Sequence, residues 1–336
     1  MQKLPVTTAV QVTLDDDYGS PASASLCGLL RDELSAVLGE RPRLPDGGRL
    51  ATVTGSYVVD PPFYGSGDVG HLAVCSAVNE LAATGATPLG VALSAVVEAG
   101  LPLERLRRLA GSVREAAEDA GVPVLAVDAR VVRAGETDQV YLQATGVGVH
   151  TGAPLDAADA RPGDQIVVSG RIGGHGAHLL SAREGLGYES IVHDDCAPLA
   201  DLLAVVRAGA PSGAVRAARH VSRGGLVSAL HAYAGGTGLE MRVDEGALPV
   251  QYEARLVLDA VGVAPVQAPS EGCLCLLVGA GETGPVLAAL RGHRRGRHAA
   301  VVGEVLGRPD GAPVRMVTPA SGVVPLLPEP VPARLA

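Results

Sequence analysis

Tryptophan is absent from this chain, phenylalanine occurs once, at Phe63, and lysine once, at Lys3. So few rings leave no platform on which bases could stack, and a net charge of −9 repels a phosphate backbone. Nucleic acid is not an expected partner. A lone lysine near the N-terminus excludes a Gly-Lys-Ser/Thr phosphate loop and an internal Schiff-base lysine. No Gly-x-Ser-x-Gly elbow occurs, which removes a hydrolase triad of that type. Long apolar runs are missing too. The longest, 81–97, is broken by Thr84, Gly85 and Pro88, and Asp15–Asp17 interrupts any N-terminal signal segment. Neither a membrane span nor secretion is expected, and the chain reads as cytoplasmic.

Cysteine is scarce, with five residues at 27, 75, 196, 273 and 275. An odd count at irregular spacing is not a disulfide framework. Cys273 and Cys275 fall on one face of an expected strand, where neighbouring thiols make poor disulfide partners. Buried, reduced cysteines are expected. Positive charge gathers in one cluster, Arg291–His298. It reads as the solvated end of the apolar helical stretch before it.

What is plentiful is glycine, 44 residues, and apolar side chains, 47% of the 336 residues. That composition and length predict an α/β (α+β) protein with two domains. Residues 1–20 form an irregular leader, 21–155 a first domain, 156–322 a second, and 323–336 a mobile, proline-rich tail. In the first domain the patterns predict a helix over 21–38, capped by Ser20 with Pro21 at its first position. Strands follow at 50–59 and 89–97. A helix opens at Pro102 with apolar residues at alternating steps of three and four, closed by Gly121, and strands return at 122–127 and 139–149. The second domain shows a turn at 161–164 and strands at 166–169, 273–278 and 299–305. Helices are expected there at 177–185, 199–208, 225–234 and 251–262.

The central stretch is Tyr64–Gly85. Gly65, Gly67 and Gly70 surround Asp68, which suits a helix N-cap. Leu72, Val78, Leu81 and Ala82 mark the helix, and Asn79 and Glu80 lie three turns along it. On spacing alone this is a capped helix with a polar stripe. Three other glycine-associated sites accompany it. Asp128-Ala129-Arg130 follows a strand, where α/β folds hold ligands. Ser169–His178, containing Gly173 and Gly174, and Ser222-Arg223-Gly224-Gly225 both turn into helices whose free N–H groups can hold an anion. Together they offer carboxylates for Mg2+ and donors for phosphate. His175 and His178, with His193, Asp195 or Cys196, make a weaker case for a transition metal.

The order of these motifs resembles the HypE family of nickel–iron hydrogenase maturation proteins, in the aminoimidazole-ribonucleotide synthetase (PurM-like) superfamily. The runs that carry it are Gly65-Ser-Gly-Asp-Val-Gly-His-Leu-Ala-Val74, Val78-Asn-Glu-Leu-Ala-Ala-Thr-Gly85, Val168-Ser-Gly-Arg-Ile-Gly-Gly-His-Gly176, Leu180-Ser-Ala-Arg-Glu-Gly-Leu186, Asp195-Cys-Ala-Pro-Leu199 and Ser222-Arg-Gly-Gly-Leu226. The resemblance implies an N-terminal domain that dimerises through its sheet, a C-terminal α/β domain, and ATP–Mg2+ between the halves near the dimer interface. It implies that ATP phosphorylates a carboxamide oxygen and that loss of phosphate leaves a nitrile. By the same likeness Asp68, Glu80 and Asp128 would hold Mg2+. Those three, with Asn79, Gly173, Gly174, Gly224 and Gly225, would bind the cofactor. His175, Arg223 and Glu271 would carry the catalysis.

Several positions depart from the family pattern. The chain ends Val331-Pro-Ala-Arg-Leu-Ala336, where the family ends in the cysteine that accepts the carbamoyl group. Thr54, Gly174 and His220 stand where the family has aspartates, Glu80 replaces another, and the 44–50 segment keeps only Asp46. Fewer acids would neutralise less of the Mg2+ and triphosphate charge. The first expectation is therefore ATP-dependent dehydration of a carbamoyl or carboxamide group on a small molecule or partner protein. The alternative is a catalytically degraded paralogue acting as a scaffold subunit. Expected partners are a second copy of the chain and a carbamoyltransferase or other maturation or biosynthetic protein.

Overall fold

The computed structural model describes residues 11–13, 26–40 and 42–329. The expected Ser20–Pro21 helix start, most of the leader and residues 330–336 of the tail lie outside them. Within the leader, Val12 is buried and its N–H donates to the Leu101 carbonyl.

The first half runs α1 (Leu26–Glu33), β1 (Arg49–Tyr57), β2 (Phe63–Tyr64), β3 (Gly67–Asp68), α2 (Val69–Ala83), β4 (Thr87–Glu98), α3 (Leu103–Ala120), β5 (Val124–Val132) and β6 (Val140–His150). The long strands form a four-stranded sheet in the order β1-β6-β4-β5. Only β4 and β5 are parallel, because α3 is the crossover between them. Beyond the irregularities at 88–92, residues alternate between faces. Leu93, Ala95, Leu142 and Ala144 point into the core, whereas Thr54, Ser56, Gln143 and Asp128 are exposed on the opposite face.

In α2 every residue is buried except His71 and Glu80. A helix apolar all round needs neighbours on all sides, and α2 has them. It packs on β1, β4, β6 and α3 of its own half and reaches α5 (Ala200–Gly209) and β8 (Val215–His220) of the other.

The second half adds β7 (Gln165–Val168), α4 (Gly174–Glu184), α6 (Gly225–Thr237), β9 (Met241–Asp244), α7 (Tyr252–Ala260), β10 (Leu274–Val278), α8 (Thr283–Gly292), β11 (Ala300–Val305), β12 (Val314–Thr318) and β13 (Gly322–Pro325). Its seven strands run β13-β12-β9-β11-β7-β10-β8, with only β12–β9 parallel. Both faces are covered. Leu226, Leu230 and Tyr233 of α6 pack on one, and Leu202, Val206, Val286 and Leu290 of α5 and α8 on the other. Every residue of β10 is buried, as a central strand between two helical layers requires. Cys273 and Cys275 do share one face and are free and buried.

Several expectations need correction. The first described helix stops at Glu33 and the chain turns before Val37. Helix α4 begins three residues earlier than expected, at Gly174. Strands β8, β9, β12 and β13 were not anticipated. The expected mobile tail starts instead as an edge strand: β13 pairs with β12, Leu326 is buried, and Gln267 donates to the Leu327 carbonyl. No helix among the described residues is long and apolar enough to cross a membrane.

Candidate functional site

A cleft of about 580 Å3 opens where the halves meet. One wall is β1 from Val53 to Tyr57, the floor is the Ser76–Glu80 side of α2, and the opposite wall is Ser222, Arg223 and Glu271. Hydroxyls of Thr54, Ser56, Ser76 and Ser222 give it a polar lining. Arg223 reaches across the mouth, its Nη2 3.5 Å from the Ser56 carbonyl. The glycine turns behind that wall are geometrically required. Gly173, Gly224 and Gly225 all have positive φ, and a Cβ on Gly225 would stand 2.5 Å from the Val266 carbonyl oxygen. The protein already uses part of what these turns offer. The Gly173 N–H donates to Ser270 Oγ, Gly176 to the Pro269 carbonyl, and Val227 to the Val266 carbonyl. A Cβ on Gly174 would meet Asp195 Oδ2 at 2.6 Å, so the Asp195 carboxylate fills the space beside that glycine.

Behind the cleft lies a buried polar group. Glu271 is 1% exposed, and neither of its carboxylate oxygens has a hydrogen-bond partner. His220 Nε2 is 3.5 Å from Glu271 Oε2, and His220 Nδ1 is 3.8 Å from Glu80 Oε1. Asp195 Oδ1 accepts from the Glu271 N–H at 2.9 Å, while its Oδ2 is unpartnered. Burial pushes the Glu271 carboxyl up to about 8, with the nearby Asp194 and Asp195 adding to the effect against the His175 cation. Burial likewise raises Asp195 to about 7 and lowers His220 to about 4. At His175 burial disfavours the imidazolium, but the Asp194 carboxylate 2.8 Å from Nδ1 outweighs it and raises the ring to about 9. The group thus holds a cationic His175 paired to Asp194, a neutral His220 and a carboxyl that exchanges its proton near neutrality.

The residues expected to form a single site are distributed differently. Glu80, Arg223 and Glu271 meet at the cleft. Asp68 does not join them. Its Oδ1 accepts from the N–H groups of Gly70 and His71, its Oδ2 from Ser112, and Arg108 Nε lies 3.7 Å away, so it is a fully engaged helix cap. Asn79 is fully buried and also engaged: its amide donates to the Ala197 and Glu271 carbonyls, and its oxygen accepts from Leu199. It stitches α2 to two segments of the second half. Asp128 lies on the exposed sheet face, in one row with Ser94, Gln143 and Ser56. Three strand spacings, roughly 14 Å, separate it from Ser56 at the cleft. Asp68, Glu80 and Asp128 are therefore not one ligand set within a single chain.

The expected transition-metal set does not assemble either. His175 is committed to Asp194, and among the described residues the donor atoms of His178, His193 and Asp195 do not converge with it on one point. His220 beside Glu271, and Tyr57 and Ser76 in the lining, are residues of the site that no sequence motif points to. The one available signal was the alternation of β1, which puts Thr54 and Ser56 on the same side.

Residues 32–150 match the AIR synthase related protein family, N-terminal domain, and residues 161–315 its C-terminal domain. The chain is 40% identical over 264 residues to the carbamoyl dehydratase HypE of Cupriavidus necator, covering 78% of this chain and 75% of that one. Among solved structures, a hydrogenase maturation protein HypE in complex with ATP superposes with a TM-score of 0.86 at 31% identity, over 96% of this chain and 99% of that one. A chain of a HypE–HypF complex superposes with a TM-score of 0.78 at 30% identity, over 83% of this chain and 90% of that one.

Proposed function

We propose ATP-dependent dehydration of a carbamoyl group to a nitrile as the reaction of this chain, which belongs to the HypE carbamoyl dehydratase family of AIR synthase related proteins. The observation that carries the proposal is Glu271. A buried carboxyl with both oxygens unpartnered costs stability, and it belongs to the wall of the cleft that also bears Arg223.

The cleft volume falls within the range of small-molecule sites, roughly 300–1,000 Å3. Bound ATP supplies the phosphoryl group that turns the amide oxygen into a leaving group. Arg223 and the Ser222 hydroxyl stand where they would steady phosphate charge. Conversion to a nitrile also requires one amide proton to leave as the oxygen takes the phosphoryl group and the second to leave as the C–O bond breaks to release phosphate. Glu271 is placed to accept a proton, and its own proton is held near neutrality by burial. His220, neutral, lies between that carboxyl and Glu80, with its Nε2 3.1 Å from the Glu271 carbonyl oxygen and 3.5 Å from Oε2. His175, held as a cation by Asp194, keeps the interior charge balanced. For Mg2+, the carboxylate that this chain presents at the cleft beside the acceptor Glu271 is Glu80. A single carboxylate fits a hard cation sparsely.

A second copy, docked on the exposed sheet face, would bring the row containing Asp128 toward a neighbouring cleft, and we infer a homodimer of this kind. The two domains we assign span 21–155 and 156–322, joined by α2. Each of the five cysteines is buried or half-buried, so the carboxamide is better offered by another molecule than by a thiol of this chain. A carbamoyltransferase is the partner that this chemistry calls for, in keeping with the HypE–HypF complex.

Calorimetric titration of the full chain with ATP and Mg2+, followed by phosphate release with a thiocarbamate carboxamide, tests the proposal. Saturable nucleotide binding, weakened in Arg223→Ala and in Asp128→Ala, is expected. Absence of binding at millimolar nucleotide overturns it and leaves a scaffold role.

A further inference from the structure

We propose that His71, Cys75 and Cys196 form a binding site for a thiophilic d10 cation, Zn2+ in the first instance, beside the cleft and separate from it. Their candidate donor atoms, one imidazole nitrogen and two sulfurs, all lie within 4.8 Å of one another. Among the described residues this is the one His/Cys/Asp/Glu group that converges so closely.

Chain geometry explains the convergence. His71 and Cys75 are four residues apart in the first turns of α2, which places both on one face of a buried, rigid helix. Cys196 comes from the loop ahead of α5, and that loop is pinned on both sides. The Cys196 N–H donates to Asp194 Oδ1 at 3.1 Å, and the next carbonyl, of Ala197, accepts from the Asn79 amide at 3.0 Å. Donors carried by a helix and by a doubly anchored loop are held in place before any ion arrives.

The donor set selects the ion. Two sulfurs and an imidazole suit Zn2+ and other thiophilic cations, and discriminate against the oxygen-seeking Mg2+ expected in the cleft. Zn–S and Zn–N bonds of about 2.3 and 2.0 Å put tetrahedral ligands about 3.5–3.8 Å apart, so closure on the ion takes side-chain shifts of about 1 Å. Cys75 is fully buried, whereas His71 and Cys196 are half-buried and give the ion access and a fourth, open position. None of the three is used in the dehydration proposed above. A bound ion would clamp the Cys196 loop to α2 one residue from Ser76 in the cleft lining.

The test is a titration of the reduced, metal-stripped full chain with Co2+ and then Zn2+. One equivalent of Co2+ should develop thiolate-to-cobalt charge transfer and the visible bands of a four-coordinate site, and one equivalent of Zn2+ should bleach them. Cys75→Ser and Cys196→Ser should each abolish the charge-transfer signal, and His71→Gln should lower the affinity, with circular dichroism confirming that each variant is folded. Zn2+ should also raise the melting temperature of the unaltered chain. No stoichiometric uptake by the unaltered chain overturns the proposal. So does uptake that persists in all three variants, which would place the ion elsewhere. Cys75 and Cys196 joined as a disulfide in air-purified chain, with no uptake after reduction, overturns it in favour of a cross-link.

Discussion

Two polar seams join the halves of this molecule, and they are finished in opposite ways. At the surface, Arg294 and Arg295 after α8 meet Asp119 at the end of α3 and Asp201 in α5. The distances are 2.8 Å for Arg294–Asp119 and 2.9 Å for Arg295–Asp201, and His293 Nε2 is 3.3 Å from Asp201. Each of these carboxylates is answered. Slight burial works to raise Asp119, but the two arginines outweigh it and hold it below the usual carboxylate range. Inside, the second seam leaves both oxygens of Glu271, Asp195 Oδ2 and His220 Nδ1 unpartnered. Buried polar atoms are nearly always satisfied, because each that is not costs about 1–3 kcal/mol. The contrast separates fastening from chemistry. A seam built only to hold two halves together closes its hydrogen bonds, whereas one kept open is reserved for something that binds.

The largest effect is expected from Glu271→Gln. Removing a proton acceptor of this kind should lower turnover by about 10²–10⁴-fold while nucleotide binding persists. The pH dependence follows from the same residue. With its carboxyl raised to about 8, the ionised acceptor accumulates only as pH approaches that value, so turnover should climb through it. Stability should move the other way. A carboxyl that is neutral in the fold but ionised in the unfolded chain destabilises progressively between the ordinary value of 4.5 and about 8. Denaturant midpoints of the unaltered chain and Glu271→Gln should therefore agree near the acid end and separate in favour of the variant toward pH 8. A flat difference across that range would mean that Glu271 is satisfied and the seam is merely structural.

Asn79→Ala should have the next largest effect. Asn79 is the saturated counterpart of Glu271, and its loss strands the Ala197 carbonyl and the Leu199 N–H and leaves the Glu271 carbonyl to His220 Nε2 alone. A loss of about 2–4 kcal/mol in equilibrium unfolding is expected, the range for breaking a buried network. Normal stability in Asn79→Ala would show that the interior does not join the halves through this side chain.

The sequence made the role of Asp68 legible because a cap is local: its partners are two and three residues away, and a glycine-flanked aspartate before an apolar helix announces them. Asn79 was hidden for the opposite reason. Its partners lie 118 to 192 residues along the chain, so nothing near it signals a clamp. The 100° step between Asn79 and Glu80 turns one side chain to the domain junction and the other to the cleft, yet only the fold says which is which. The likeness to the HypE family supplied the two-domain α/β architecture and grouped Glu271 with Arg223, and the fold brings the two together at one cleft. It also grouped Asp68 and Asp128 with them, whereas the fold holds Asp68 as a helix cap and Asp128 on the exposed sheet face. Composition misread the start of the tail, where prolines flank a short edge strand. It also read Arg291–His298 as solvated, because Asp119 and Asp201, which pair with it, are distant in sequence.

That basic segment supplies the smallest and most discriminating expectation. Asp119 is 39% exposed and Asp201 49% exposed, so water screens both pairs. Exposed ion pairs contribute about 0.2–1 kcal/mol, and less as salt rises. Asp119→Asn should therefore cost no more than about 1 kcal/mol at low ionic strength. The difference should shrink toward zero in high salt, as read from denaturant midpoints at two salt concentrations, and nucleotide binding should not change. A salt-independent loss, or weakened binding in Asp119→Asn, would mean that the outer seam transmits force to the cleft rather than only closing the surface. The two seams would then form one coupled junction, and the division between fastening and chemistry would fail.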